Sequence, residues 1–196
     1  IAAHLQLGRA LRDRALPEDP ARWVFDVTSQ LNAGRAAMHD PAELHQLAEL
    51  NLDAARRALT TAAAQRALEH ARAGITALGP EPFARDYALA RDLHVAGAEA
   101  AFLGAELEQL SELSEAMLAH ARSATDEVKV RVIEGQVYYS QQQLAKALAT
   151  YVAALGRLGI DMPQDPSEED VAEELQLPLR GDFKFVTLHI GVYLAY

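Results

Sequence analysis

The residues from Glu134 to Leu158, EGQVYYSQQQLAKALATYVAALGRL, constrain the fold more than any other stretch. Small Gly135 is followed by Tyr138, then by Ala147, Tyr151 and Ala154. Small residues at such offsets let two helices approach closely, and the large residues fill the space beside them. A helical hairpin of this kind cannot bury its apolar face alone, so neighbours have to stack on it. The rest of the chain reads as those neighbours.

Counted with Gly135 at position eight, the five residues fall at positions 8, 11, 20, 24 and 27 of a tetratricopeptide-type repeat. Two further copies align with it. Gly135 corresponds to Ala98 and Ala55, and Ala147 to Leu110 and Ala67, at intervals of 37 and 43 residues. Similar hairpins joined by unequal turns are therefore expected. The fold class is all-α, with antiparallel helical hairpins stacked as a TPR-like superhelix (an α-solenoid). Half of the residues are hydrophobic and few are aromatic. Ala and Leu dominate, and both enter helices at little cost.

Punctuation places the elements. A helix over 2–16 ends at Pro17, and Pro20 opens a second one through Ala37. Trp23 reads as a plug between these two. Asp40 caps a third helix, with Pro41 at its first position, running to Leu59. Thr60 and Thr61 break it before a fourth helix that ends at Leu78. Gly79-Pro80-Glu81-Pro82 precedes a long helix, Phe83 to Leu103, and its partner, Glu106 to Arg122. Thr125 is the expected N-cap of the last hairpin, which Gly159 ends. Asp161 to Pro166 is a linker, and Ser167 caps a short acidic helix. From Phe183 the β-branched and aromatic run is strand-like by composition. The domain reading is thus connector helices over 1–40, repeats over 41–160, linker and acidic helix over 161–179, and an atypical tail over 180–196.

The net charge of −10 argues against nucleic acid as a partner, since phosphate binding needs a basic face. Residues 81–196 hold nine Lys/Arg and nineteen Asp/Glu, against nine and nine before them, which reads as a solvated helical face or an acidic docking surface. With no cysteine there is no disulfide framework and no thiolate metal site. The first residue is Ile1, and no charged n-region or cleavage site follows it. The apolar run from Phe183 to Tyr196 is too short and too polar to span a membrane. A cytoplasmic segment of a longer chain is the expectation.

At this point the chain resembles the helical segment of large bacterial signalling proteins with a STAND-type (signal-transduction, AAA-related) ATPase. The matching stretches are HLQLGRALRD at 4–13, VFDVTSQLNAGRAAM at 24–38, ELNLDAARRALTTAAAQRALEHARAGITALG at 49–79, RDYALARDLHVAGAEAAFLG at 85–104 and LGIDMPQDPSEEDV at 158–171. The most specific are F-D-x-x-x-Q-L-N-x-G, Phe25 to Gly34, and L-G-I-D-x-P, Leu158 to Pro163. The resemblance implies a serine/threonine kinase-like domain and an ATPase upstream, with GAF and sensor histidine kinase modules downstream. It stops at Leu177-Pro178-Leu179, where this chain continues as RGDFKFVTLHIGVYLAY, so a truncation or a changed reading frame is expected there. No G-x-x-x-x-G-K-[ST] loop occurs in the chain, and any ATPase or kinase activity is assigned to modules outside it.

The residues themselves suggest no catalytic constellation, and no cofactor or metal is called for. His39 and His45 are six apart without an H-E-x-x-H pattern, and His4, His70, His94 and His120 stand singly in helices. Glu168/Glu169 and Glu173/Glu174 read as a solvated helix start, favoured by the helix dipole. Ser111, Ser114 and Ser140 lack His/Asp partners.

What remains is a groove. In stacked hairpins, positions 2, 5, 9, 12 and 13 of each first helix face the concave side. They are Glu49, Leu52, Arg56, Leu59 and Thr60; then Asp92, Val95, Glu99, Phe102 and Leu103; then Lys129, Val132, Gln136, Tyr139 and Ser140. The candidate partner-binding residues are Glu49, Arg56, Glu99, Phe102, Lys129, Gln136 and Tyr139. Aromatic and Arg side chains among them are the types that anchor interfaces. The expected partner is a protein, a peptide or a neighbouring domain of the same polypeptide. Two other readings stand beside this scaffold: a free-standing adaptor that binds a peptide, and a sensor that encloses a small effector.

Overall fold

The computed structural model describes residues 1–13 and 20–160, and every regular element within them is helical. In order they are α1 (Ala2–Arg12), α2 (Pro20–Gly34) with a 3-10 turn after it (Arg35–Ala37), α3 (Pro41–Thr60), α4 (Ala64–Leu78), α5 (Pro82–Arg85), α6 (Tyr87–Leu103), α7 (Leu107–His120), α8 (Ala124–Ser140) and α9 (Leu144–Arg157). The fold is all-α. The chain divides into two compact units, Ile1–His120 and Ala121–Tyr196, a boundary that falls inside the stretch read above as one repeat region. The acidic segment and the strand-like tail lie outside the described residues.

In the first unit α1 packs on α2, α3 on α4, and α6 on α7, while α6 also lies against both α3 and α4. The approach of α1 to α2 depends on missing side chains. A β-carbon on Gly8 would come within 2.5 Å of Leu31, and one on Gly34 within 2.7 Å of the Leu5 backbone nitrogen. Trp23 is half-buried and donates Nε1–H to the Leu11 carbonyl at 3.0 Å, fastening α2 to α1 as expected of a plug. The core is built from Val24, Val27, Leu31, Leu47, Leu68, Leu78, Leu93 and Met117, all closed to solvent.

A polar chain runs through that core. Asn32 and Asn51 exchange amide hydrogen bonds at 2.9 Å, Asn51 also donates to the Leu47 carbonyl, and the His70 Nδ1 sits 3.0 Å from the Asn51 carbonyl oxygen. With the Asn51 oxygen accepting twice and its nitrogen donating twice, the buried amide is fully satisfied. The Phe25 ring centroid lies 5.6 Å from that of His70 and 5.6 Å from the Arg66 guanidinium carbon. The F-D-x-x-x-Q-L-N-x-G element is therefore occupied with packing: Phe25, Leu31, Asn32 and Gly34 each hold a neighbouring helix.

Three hairpins share one turn. Ala62, Ala105 and Gln142 have φ of 54°, 57° and 59°, in the left-handed region that L side chains rarely adopt. In each case the left-handed residue bonds back three residues and its successor bonds back five: Ala62 to Leu59 and Ala63 to Ala58, Ala105 to Phe102 and Glu106 to Ala101, Gln142 to Tyr139 and Gln143 to Tyr138. That is the Schellman closure, which satisfies carbonyls at a helix end. The three turns are spaced 43 and 37 residues apart, the same intervals as the sequence anchors.

In the second unit the α8–α9 hairpin shows the anticipated close approach. A β-carbon on Gly135 would collide with the Tyr151 ring. Ala147, Tyr151 and Leu155 form a buried cluster against which Val132, Tyr138 and Ile160 pack.

Four boundaries differ from expectation. Helix α1 closes at Arg12, where the Asp13 N–H bonds to Arg9, ahead of Pro17. The Pro20 helix gives way to the 3-10 turn after Gly34. The long helix from Phe83 breaks at Asp86 (φ −148°, ψ 100°), whose carboxylate accepts the Leu89 N–H at 3.0 Å and starts α6 afresh. The N-cap of α8 is Ser123 and not Thr125: Ser123 Oγ accepts from the Asp126 N–H at 3.2 Å and donates to the Asp126 carboxylate at 2.8 Å.

Candidate functional site

Because α6 descends on α3, the outward face of α3 borders a cleft. It encloses about 320 Å³ and is lined by Glu49, Leu52, Asp53 and Arg56 of α3 and by Asp86, Ala88, Leu89 and Asp92. A second depression of about 430 Å³, lined by Arg12, Gln46, Glu49, Leu50 and Asp53, shares Glu49 and Asp53 with the first. Leu52 and Leu89 are buried and make an apolar floor.

Two polar ties cross between the helices. His45 Nε2 meets Asp86 Oδ2 at 2.9 Å, and Arg56 Nη2 donates to Asp92 Oδ2 at 2.8 Å. Their anchor points on α3 are eleven residues apart, about 16 Å along a helix at 1.5 Å per residue. Asp86 does two jobs, capping α6 with one oxygen and holding His45 with the other. The Leu89 N–H and then His45 hold its carboxyl below the ordinary carboxylate range. Behind this face, Arg9 grips Glu43 through two hydrogen bonds of 2.7 and 2.6 Å, which lower the Glu43 pKa and tie α1 to α3.

The structure brings two of the sequence candidates, Glu49 and Arg56, to this cleft together with Leu52 and Asp92. Leu52 is buried, at 7% exposed, and serves as floor. Arg56 is exposed but engaged by Asp92. On α6, Phe102 is half-buried. Glu99 keeps more than a third of its surface open, although nearby protein atoms desolvate its carboxyl and raise its pKa. In the second unit Lys129 and Gln136 are half-buried, and Tyr139 is 50% exposed. A separate cleft of about 500 Å³ lies there, lined by Glu127, Arg131, Ala149, Thr150, Ala153, Ala154 and Arg157, with Arg157 paired to Glu127 at 2.9 and 2.6 Å.

Asp53 and Asp86 line the first cleft and His45 is bonded to Asp86, but none of the three is in the candidate set. The signal for Asp86 is local: an Asp three residues before Leu89, at the start of an apolar run, is an N-cap pattern. His45 could be found only through the fold, since its partner is 41 residues away.

Four other histidines are bonded or packed: His4 Nδ1 lies 2.7 Å from the Gln30 side-chain oxygen and His120 Nδ1 2.9 Å from the Ala116 carbonyl. His70 and His94 are buried, and burial lowers both pKa values. The Phe83 ring sits between His94 at 4.6 Å and His120 at 4.3 Å. Among the described residues no three His, Asp or Glu side chains converge as a metal site, and no helix is long and apolar enough to cross a membrane.

The class that fold and site define is an all-α protein of helical hairpins bearing open, charge-lined clefts. Comparison with protein-family models, with curated proteins and with solved structures returns no match in any of the three.

Proposed function

We propose that the chain is a non-catalytic, TPR-like helical-repeat segment that serves as scaffold and regulatory region of a multidomain bacterial signalling ATPase/kinase. It makes protein–protein or interdomain contacts in the cytoplasm. The observation that carries this reading is the recurrence of one Schellman turn, with a non-glycine left-handed residue, at Ala62, Ala105 and Gln142. Repeats of this kind offer surface area along a face and no reaction centre. The mechanism is mechanical: a neighbouring domain binds the array, and its ligand state shifts how the hairpins pack. Attachment to an ATPase rests on the sequence resemblance alone.

The test is the nucleotide sequence of the locus on both sides of the coding region for this chain. A phosphate-loop ATPase in frame upstream supports the reading. An isolated reading frame overturns it in favour of a free-standing adaptor, a reading that half-exposed Tyr139 supports as a peptide anchor.

A further inference from the structure

The charges bordering the α3–α6 cleft are not evenly answered. Arg56 is taken by Asp92, Arg57 donates to Asp53 at 2.9 Å, His45 meets Asp86, and Arg12 is engaged by Asp13 and Glu43. Glu49 differs. Among the described residues its carboxylate accepts no hydrogen bond: His45 Nδ1 lies 3.8 Å away, outside hydrogen-bond reach, and the Glu49 side chain is 59% exposed. It stands on the wall common to both depressions, one turn before Asp53 and beside the Leu52–Leu89 floor.

We propose that this cleft docks a protein segment bearing a Lys or Arg, whose charge lands on Glu49 while an adjacent apolar side chain covers Leu52 and Leu89. The inference rests on the scaffold reading and names the partner's chemistry. An acidic or phosphorylated segment would meet Glu49, Asp53 and Asp86 with both lining arginines already engaged. An uncharged apolar segment would strip water from Glu49 and return nothing for it. A basic segment supplies a charge-assisted hydrogen bond at that point.

The experiment pans a random-peptide phage library against the purified full chain and then follows the enriched peptide, fluorescein-labelled, by anisotropy. The expected winners carry Lys or Arg next to an apolar residue. Glu49→Gln weakens them roughly tenfold, the worth of one charge-assisted contact, and added salt weakens them further. Because no hydrogen-bond partner of Glu49 is lost, the variant keeps the wild-type circular dichroism and melting curve. Glu49→Lys, a second variant at the same exposed position, abolishes binding of basic peptides.

Peptides that ignore both Glu49 variants but respond to Tyr139→Ala overturn the cleft assignment and leave the scaffold reading standing. Winners rich in Asp or Glu overturn it as well. Failure of any peptide to enrich overturns the cleft assignment and counts against the scaffold reading too.

Discussion

The hairpins α3–α4 and α8–α9 use the same turn and fill the same slot in opposite ways. Nine residues after the left-handed turn residue, α4 has Ala71 and α9 has Tyr151; seven residues before it, α3 has Ala55 and α8 has Gly135. All four are buried. In the first unit α6 comes down on α4, and Ala71 leaves it room: a β-carbon on Gly97 would lie 3.3 Å from that of Ala71. In the second unit the slot is taken by an aromatic ring, and its partner has given up its side chain altogether. The α6–α7 hairpin lies between the two, with Ala98 and Ser114 at the equivalent positions. One backbone plan therefore tolerates several divisions of volume, provided the two positions are matched.

The strongest break in that comparison is Tyr151→Ala. It empties the slot without returning a side chain at Gly135 and should cost the α8–α9 hairpin about 3–5 kcal/mol, as other aromatic truncations in cores do. Ala71 is already small, so truncation at that site in α4, Ala71→Gly, should cost only about 1 kcal/mol. Urea unfolding followed by amide exchange within α8 and α9 measures the effect and where it falls.

Acid should separate the two units. His70 and His94 are buried in the first unit, and burial holds both pKa values below the ordinary 6.5. The unfolded chain then binds more protons than the folded one, so their contribution is complete above pH 6.5 and is lost as pH falls below it. The described part of the second unit contains no histidine. Its Glu127, lowered by the Arg157 hydrogen bonds, keeps its contribution until pH falls below the ordinary carboxylate value of 4.5. Amide protection factors, which remove the intrinsic pH dependence, are expected to fall between pH 7 and 5 in α4 and α6 and to hold in α8 and α9. His70→Gln and His94→Gln together should flatten the difference.

The smallest effect sharpens what the hairpins share. Ala62→Gly, Ala105→Gly and Gln142→Gly each relieve a left-handed non-glycine residue and should stabilise by about 1 kcal/mol apiece. Equal gains at the three turns, read as midpoint shifts in urea, are the signature of one recurring turn. Losses at any of them would mean that its backbone is not held as described.

The spacing of small and large residues made the hairpins legible, because contacts such as Gly135 to Tyr151 are local in sequence and repeat at fixed offsets. Asp40 with Pro41 was legible as a helix start for the same reason, and its carboxylate does accept the Ala42 N–H at 3.0 Å. The break at Asp86 was not. An apolar run continues on both sides of it and outweighs the one local signal, the N-cap pattern of Asp86 three residues before Leu89. At α8 two hydroxyl residues, Ser123 and Thr125, compete for the cap, and composition cannot choose between them. The cleft was half legible. Helix register put Glu49 and Arg56 on the outer face of α3, but the Arg56 partner Asp92 is 36 residues away, and the neighbouring tie from His45 to Asp86 spans 41. Register also counted Leu52 as a contact, although the descent of α6 buries it.

The central claim is that the three hairpins are variants of one unit, whose two slot positions trade volume. A double-mutant cycle tests it by installing the pair of the middle hairpin, Ala98 with Ser114, in the last one. Gly135→Ala alone forces a methyl into the Tyr151 ring, and Tyr151→Ser alone leaves a void; both should destabilise. In the double variant the methyl and the void offset one another, and the predicted coupling is about 1–2 kcal/mol in favour of the pair. Simple addition of the two losses, within about 0.3 kcal/mol, would contradict the account and leave the shared turn as the only likeness between the hairpins.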